Sequence, residues 1–504
     1  MQRFITHIVG AVALMANSLQ KLGLKKTQLM VVAMVVAVAT PVGAQQALTR
    51  AQYIEKYAPM AVESQLLYGI PASITLAQGC LESSRCCIYH DRAVIKYRLM
   101  NLLGFSCEEE TDETRTLASY YKEAITREKP ANVANKLPLS VCEAGCSECP
   151  SAQVVITGNC RGCFSRPCMY SCPKGAISVV NQVSTIDYNK CIKCGKCTSV
   201  CPYHAIVKTT VPCEDACPTG AIHKDNDGHT RIDVAKCISC GNCFAKCPFS
   251  AILERSQILD VLKALKNNEK VVAMIAPAAA SQIAGTIEQL FTAVSKLGFT
   301  DVIEVALGAE DTTAHEAEEF RDKMNAGEKL MTTSCCPAYV ELVRKFMPDF
   351  MQYVSSTPSP MVFAAEIARR EHPGCKVVFI GPCVAKRVEA ARKNIDYVLS
   401  FEELFAMLAG KNIDVISCEP WPIPRPAIAT ARNFAKSCGV TEAVISELGG
   451  FKDDFKLDAK AINGIDKKTI AMLKMYATGK IPANFLEVMC CPGGCVNGPC
   501  SLKK

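Results

Sequence analysis

Two stretches of this chain repeat one cysteine spacing, C-x2-C-x2-C-x3-C-P: Cys191, Cys194, Cys197 and Cys201, then Cys237, Cys240, Cys243 and Cys247. Cysteine is otherwise abundant and uneven, with 31 in 504 residues and 17 of them between Cys142 and Cys247. Small secreted scaffolds use spaced cysteines as staples, whereas dense C-x2-C triplets inside a large chain suit metal ligation. The chain is long enough for two or more units, each with its own core. Lys plus Arg is 56 against 49 acids, with no long basic run, so no nucleic-acid surface is indicated. Each cluster held by four thiolates would add a charge of about −2, and four of them would erase the excess of +7.

The segments CPKGAI from Cys172, CPYHAI from Cys201, CPTGAI from Cys217 and CPFSAI from Cys247 are four copies of one ending, an internal repeat. Residues 140–256 therefore resemble ferredoxin-like α+β [4Fe–4S] modules, in which three cysteines of a run hold one cluster and the fourth reaches to its neighbour. The two intact runs imply two clusters. A looser run, Cys160, Cys163, Cys168 and Cys172, implies a third. A fourth rests on the half run Cys213-x3-Cys217, which lacks the leading C-x2-C, while Cys142, Cys146 and Cys149 upstream are either three ligands of a further cluster or plain thiols. Crossed ligation leaves two pairings open, the 191 run with the 237 run or with the 160 run.

Ahead of this region, residues 1–44 have the composition of a secretory signal: Lys25 and Lys26, an apolar run from Leu29 to Ala39, then Val42-Gly43-Ala44. The run is short for a bilayer span. Residues 45–85 resemble the opening of peptidoglycan-cleaving glucosaminidases, with Glu82 at the catalytic-acid position, but the cleft such an acid requires has no counterpart. Residues 86–139 are charged and helix-prone and predict a solvated helical connection.

From residue 268 to 504, KVVAMIAPAA and CKVVFIGPC predict strands, and IEQLFTAVSKLGFTDVIEVALGAE a helix followed by a strand. This alternation predicts an α/β unit with a mostly parallel sheet and loops gathered at strand ends. Six of its cysteines fall in three motifs: TSCCPAYV with Cys335 and Cys336, FIGPCVAKRVEA with Cys383, and EVMCCPGGC with Cys490, Cys491 and Cys495. Together with the preceding runs these resemble the signature segments of [FeFe] hydrogenases.

The resemblance implies that Cys336, Cys383, Cys491 and Cys495 hold the cubane of an H-cluster, with Cys495 bridging to a diiron subcluster carrying CO, CN and dithiolate ligands. It implies that Cys335 exchanges protons with that site through Glu316, Ser355 and Glu319. Lys386 matches the lysine that bonds a cyanide ligand, and Met489 a methionine packed beside it. Gly493 and Gly494 would let the backbone fold against the cluster. There are departures: Tyr339 stands where Trp is frequent, Gly381 for Met, Ala278 for Ser and Cys490 for Ala.

The expected function is interconversion of protons and H2, with electrons entering through the [4Fe–4S] clusters from ferredoxin or another low-potential carrier. Hydrogenase maturation proteins are the expected assembly partners. Membrane contact is expected only if the leader is retained, and the many thiols place the functional module in the cytoplasm. The rival readings are a hydrogen sensor, an iron–sulfur assembly factor, a plain electron carrier, or a truncated cell-wall hydrolase.

Overall fold

The computed structural model describes residues 88–502, apart from 111, 113, 128–136, 147–148, 150–152, 226–227, 450–456 and 478–482. The signal-like leader, the glucosaminidase-like fragment and Glu82 lie outside the described residues. Among the described residues no helix is long and apolar enough to cross a membrane.

Helices α1 (Ile88–Leu102) and α2 (Leu117–Thr126) make up the expected connection. They are not merely solvated. Leu99, Met100, Leu117, Tyr120 and Ala124 close a small core with Leu259. Arg127, after α2, grips Asp260 through both carboxylate oxygens at 3.0 Å. A few apolar positions spaced along one face suffice for a charged helix pair once a second surface covers them.

The cysteine-rich region is two units, one inside the other. Strand β1 (Leu139–Val141) opens the outer unit, but its antiparallel partner lies more than a hundred residues later. Between them, β2 (Gln153–Ile156), β3 (Ile177–Val180), β4 (Val183–Ile186) and β5 (Ile206–Thr209) form the inner unit. Its β2 pairs with β5 and its β3 with β4, both antiparallel. The outer unit then resumes with the hairpin of β6 (Ile222–Lys224) and β7 (Thr230–Ile232) and closes with β8 (Ile252–Glu254), the partner of β1. Each unit is thus one long-range ladder plus one hairpin. The inner one is inserted between Cys149 and Cys213.

The four C-P-x-x-A-I endings share one local geometry. In each, the alanine amide donates to the cysteine sulfur, at 3.3 Å for Ala176 to Cys172, Ala205 to Cys201 and Ala251 to Cys247, and 3.2 Å for Ala221 to Cys217. The alanine and the following isoleucine are buried every time. The repeat therefore encodes a turn that stabilises a thiolate and anchors it to a core.

The C-terminal unit has the predicted α/β architecture with two parallel sheets. The elements that matter for the site are β9 (Val271–Ile275), β10 (Asp301–Glu304), α3 (Val305–Asn325), β11 (Met331–Thr332), α4 (Pro337–Phe346), α5 (Pro360–Glu371), β12 (Lys376–Ile380), α6 (Ala385–Arg392), β13 (Tyr397–Leu399), α7 (Gly439–Leu448), β14 (Ala459–Asn463) and β15 (Phe485–Met489). One sheet runs β10-β9-β12-β13 and the other β11-β15-β14, all pairs parallel. Strands β9 and β15 are buried at every position, as sheets covered on both faces require. The predicted strand over DVIEVALGAE stops at Glu304 and α3 begins at Val305. Ala, Leu and Glu favour the helix there, while Glu304 accepts from Arg432 at 2.6 and 2.7 Å and ties off the strand.

Candidate functional site

Loops that follow β9, β11, β12 and β15 meet over the same ends of the two sheets, the usual crevice of a parallel sheet. Pro277 and Ala278 come from the first, Cys335 and Cys336 from the second, Pro382 and Cys383 from the third, and Cys490, Cys491 and Cys495 from the last. All line a single cavity, with Met489, Lys386 and Phe434 in its wall. Cys336 is also the residue before the first turn of α4, where Pro337 occupies the position at which a missing amide costs nothing.

The cavity fits a cluster held by thiolates. Burial and the neighbouring Cys495 and Cys336 push the Cys383 thiol up to about 12, and burial with Cys336 nearby pushes Cys495 up to about 11. Cys491 is raised further by burial and by Cys383, Cys495 and Cys336. Thiolates that repel one another in a buried space are stabilised by a shared cation, and sulfur ligands from several loops are the donor set of an iron–sulfur centre.

Gly493 and Gly494 hold φ of +81° and +96°. A Cβ on Gly494 would lie 2.5 Å from the carbonyl oxygen of Ala435, and one on Gly493 2.4 Å from the Asn497 amide nitrogen. The glycines thus permit a tight approach of chain to chain.

Cys335 sits beside the four cysteines, half-buried, its thiol raised by burial first and by the Glu316 carboxyl next. Glu316 is fully buried on α3; it accepts from the Ser334 amide at 3.3 Å, and its Oε2 has no hydrogen-bond partner among the described residues. Burial pushes its carboxyl up to about 8. One turn along α3, Glu319 accepts from the Ser355 hydroxyl at 2.6 Å, the Thr357 hydroxyl at 2.9 Å and the Ser356 amide at 2.9 Å. These bonds hold its carboxyl below the usual range in spite of burial. Ser355 also interacts with Glu316. The four residues therefore lie in one line from the cavity toward half-buried Glu319.

Lys386 is buried, and its Nζ donates to Glu389 at 2.6 Å, to Ser359 at 2.9 Å and to the Cys335 carbonyl at 3.5 Å. Sequence reasoning did not single out Glu389 or Ser359; the i, i+3 spacing of Lys386 and Glu389 was the available signal. Nor did it find Glu487, wholly buried on β15. That carboxylate accepts from the amides of Cys438 and Thr441 at 2.7 and 2.8 Å and so caps α7.

A Cβ on Gly381 would lie 2.8 Å from the Phe379 ring, which lines the cavity. Tyr339 is buried, and its hydroxyl pairs with Thr332 at 2.8 Å. Cys490 touches Cys240 of the 237 run; their mutual hydrogen bond lowers Cys240 and raises Cys490. Cys240 itself lines the cavity. The outer unit thus abuts the site directly. Gly241, at φ +77°, allows this contact, since a Cβ would lie 2.6 Å from Pro499.

Four further cysteine sets lie in the two cysteine-rich units. In the inner one, Cys172, Cys191, Cys194 and Cys197 line one hollow, and Cys160, Cys163, Cys168 and Cys201 another. The 160 and 191 runs therefore share a fold, and of the two pairings left open this is the one seen. In the outer unit, Cys243 is raised by burial and then by Cys240, Cys237 and Cys217. Cys213 is pushed up to about 12 by burial and then by Cys146, Cys247 and Cys149. Cys146, Cys149, Cys213 and Cys247 thus form a fourth set that straddles the insertion, with Cys142 next to Cys146. None of the described cysteines is paired in a disulfide.

An iron–sulfur protein with an iron-only-hydrogenase-like C-terminal unit is the class these features define. Residues 269–499 match the family model for the C-terminal domain of the iron-only hydrogenase large subunit. Residues 184–207 match a 4Fe-4S binding domain and 207–258 the LdpA Fe-S cluster-binding domain. The chain is [FeFe] hydrogenase-like and binds 4Fe–4S clusters.

Among curated proteins it is 28% identical to iron hydrogenase 1 of Clostridium pasteurianum over 384 residues, 65% of this chain and 66% of that protein. The match spans just under two thirds of that relative's length. The chain is also 24% identical to a probable cytosolic Fe-S cluster assembly factor of Aedes aegypti over 272 residues, 43% of this chain and 57% of that one. An apo [FeFe]-hydrogenase variant from Chlamydomonas reinhardtii aligns with a TM-score of 0.42 and 22% identity, covering 49% of this chain and 85% of that chain.

Proposed function

We propose that the protein is an [FeFe] hydrogenase that interconverts protons and H2 with electrons drawn through its [4Fe–4S] clusters. The observation that carries this reading is the line Cys335, Glu316, Ser355, Glu319 leading away from the four-cysteine cavity. A cluster-assembly factor needs cysteines but has no evident use for a proton path into a buried pocket.

In this reading Cys336, Cys383, Cys491 and Cys495 hold the H-cluster, which supplies the electrons and the iron site at which hydrogen is made or split. Cys335 moves a proton at its Sγ. Glu316, kept neutral by burial, passes a proton between that sulfur and Ser355, and Glu319 collects it at the solvent side. Lys386, steadied by Glu389 and Ser359, keeps a positive charge in the wall next to the ligands, and Met489 with Phe379 excludes water.

The test is to load the full chain with clusters and the diiron cofactor and to measure hydrogen evolution from reduced viologen. Turnover is expected, and Cys335→Ala should lower it by roughly 10²–10⁴-fold, the usual worth of a positioned acid–base group. A loaded wild-type protein that produces no hydrogen would overturn the reading. The assembly-factor reading, favoured by relatives such as the Aedes aegypti protein, would then be taken up by asking whether the clusters pass to an apo-acceptor.

A further inference from the structure

The inner cysteine unit has a surface unlike the rest of the molecule. Residues 153–209 carry seven Lys and Arg but a single acid, Asp187. Nine of the eighteen large apolar residues exposed among the described residues also fall here. Two clusters of about −2 each would still leave this unit positive. Basic charge and bare aromatic surface seldom coincide without a partner.

The two properties converge at one end. Between Cys163 and Cys168 the loop FSRP is two residues longer than the corresponding step of the intact runs. Its Phe164 is fully exposed. The hollow of Cys160, Cys163, Cys168 and Cys201 is lined by Arg161, Arg166 and Tyr203, and Tyr203 is half exposed. This hollow lies by the Ile156–Ile206 end of the β2–β5 ladder, whereas the chain joins the outer unit by the Gln153–Thr209 end. The patch is therefore the tip of the insertion.

We propose that this tip, with Phe164 and Tyr203 as anchors and Arg161 and Arg166 beside them, is the docking point of a small acidic electron-carrier protein. The proposal rests on the electron-transfer part of the proposed function. Aromatic and arginine side chains are the usual anchors of an interface, and opposite charge steers the encounter. Electron-transfer encounters need only a small patch. Each encounter passes one electron: the carrier is oxidised by one, a cluster of the inner unit is reduced by one, and no covalent bond changes.

The experiment follows anaerobic bleaching of the clusters in the full, cluster-loaded chain by stopped flow. The reductant is a reduced acidic two-cluster ferredoxin in one arm and the methyl viologen radical cation in the other. Phe164→Ala and the double reversal Arg161→Glu with Arg166→Glu should each lower the second-order rate with ferredoxin by roughly tenfold or more, as loss of an anchor does. The viologen rate should not fall, since the reversal brings negative charge to meet a cationic reductant. The ferredoxin rate of the wild type should fall with ionic strength, and the charge reversal should flatten that dependence.

Wild-type ferredoxin rates in both variants would overturn the proposal, as would equal losses with viologen, which would mean that the loop only holds its cluster. Loss of oligonucleotide binding in the reversal variant with an unchanged ferredoxin rate would reassign the patch to nucleic acid. Because bleaching is read rather than hydrogen, intact docking without hydrogen turnover would sink the catalytic reading alone.

Discussion

Glu316 shows what burial does to one side chain. With its carboxyl near 8 in the fold against an ordinary 4.5, the folded chain binds a proton more tightly than the unfolded chain does. The associated stability is therefore present below about 4.5 and is lost as pH rises through about 8. At neutral pH the group should be protonated. An infrared band of its carboxyl C=O, absent from Glu316→Gln, should persist at neutral pH and bleach with a midpoint near 8; a band already lost at neutral pH would refute the assignment. Cys490 poses a different question at the same scale. As a neighbour rather than a ligand, it can be changed to Ala with no loss of iron per chain, whereas Cys491→Ala should lower the iron content. Equal losses in the two variants would make Cys490 a ligand.

Among elements, the contact of α3 with α5 places the proposed relay. Gly308 on α3 faces the backbone of α5 so closely that a Cβ would lie 2.2 Å from the Pro360 carbonyl oxygen and 2.6 Å from the Ala364 amide nitrogen. Neither is the end of a flexible side chain, so Gly308→Ala must part the helices. A cost of about 1–3 kcal/mol is expected, read as a lower denaturation midpoint, with the Glu316 infrared band displaced. Unchanged stability would show that the helices have slack. The sequence predicts a strand where α3 begins and marks no element over α5, and the separation of the two helices rests on Gly308 meeting backbone that is distant in sequence. The same holds for α1 and α2, whose charged sequence reads as solvated until the residues around Leu259 cover them.

Across the whole molecule, one buried network joins the cysteine-rich region to the α/β unit. Arg387 on α6 is almost fully buried and donates to Glu254 at 2.9 Å and Glu403 at 2.7 Å; Glu254, at the end of β8, also accepts from Cys500 at 3.3 Å. Removing one partner leaves buried charge unpaired. Arg387→Ala should cost about 3–5 kcal/mol, whereas replacing the whole set by apolar residues of similar size should cost far less. Calorimetry that shows no loss for the single change would refute this.

The cluster motifs, the parallel α/β class and the line-up of Cys335, Cys336, Cys383, Cys491 and Cys495 are written locally, each within about ten residues, because ligand spacing and strand periodicity are short-range. The nesting of one cysteine unit in another is not. It depends on β1 finding β8, and on Cys146 and Cys149 meeting Cys213 across about sixty intervening residues, contacts that no local pattern specifies. The same is true of Cys490, whose meeting with Cys240 follows only from how the outer unit packs against the loop after β15. Short-range chemistry selects which residues can hold clusters; long-range packing selects which of them share one.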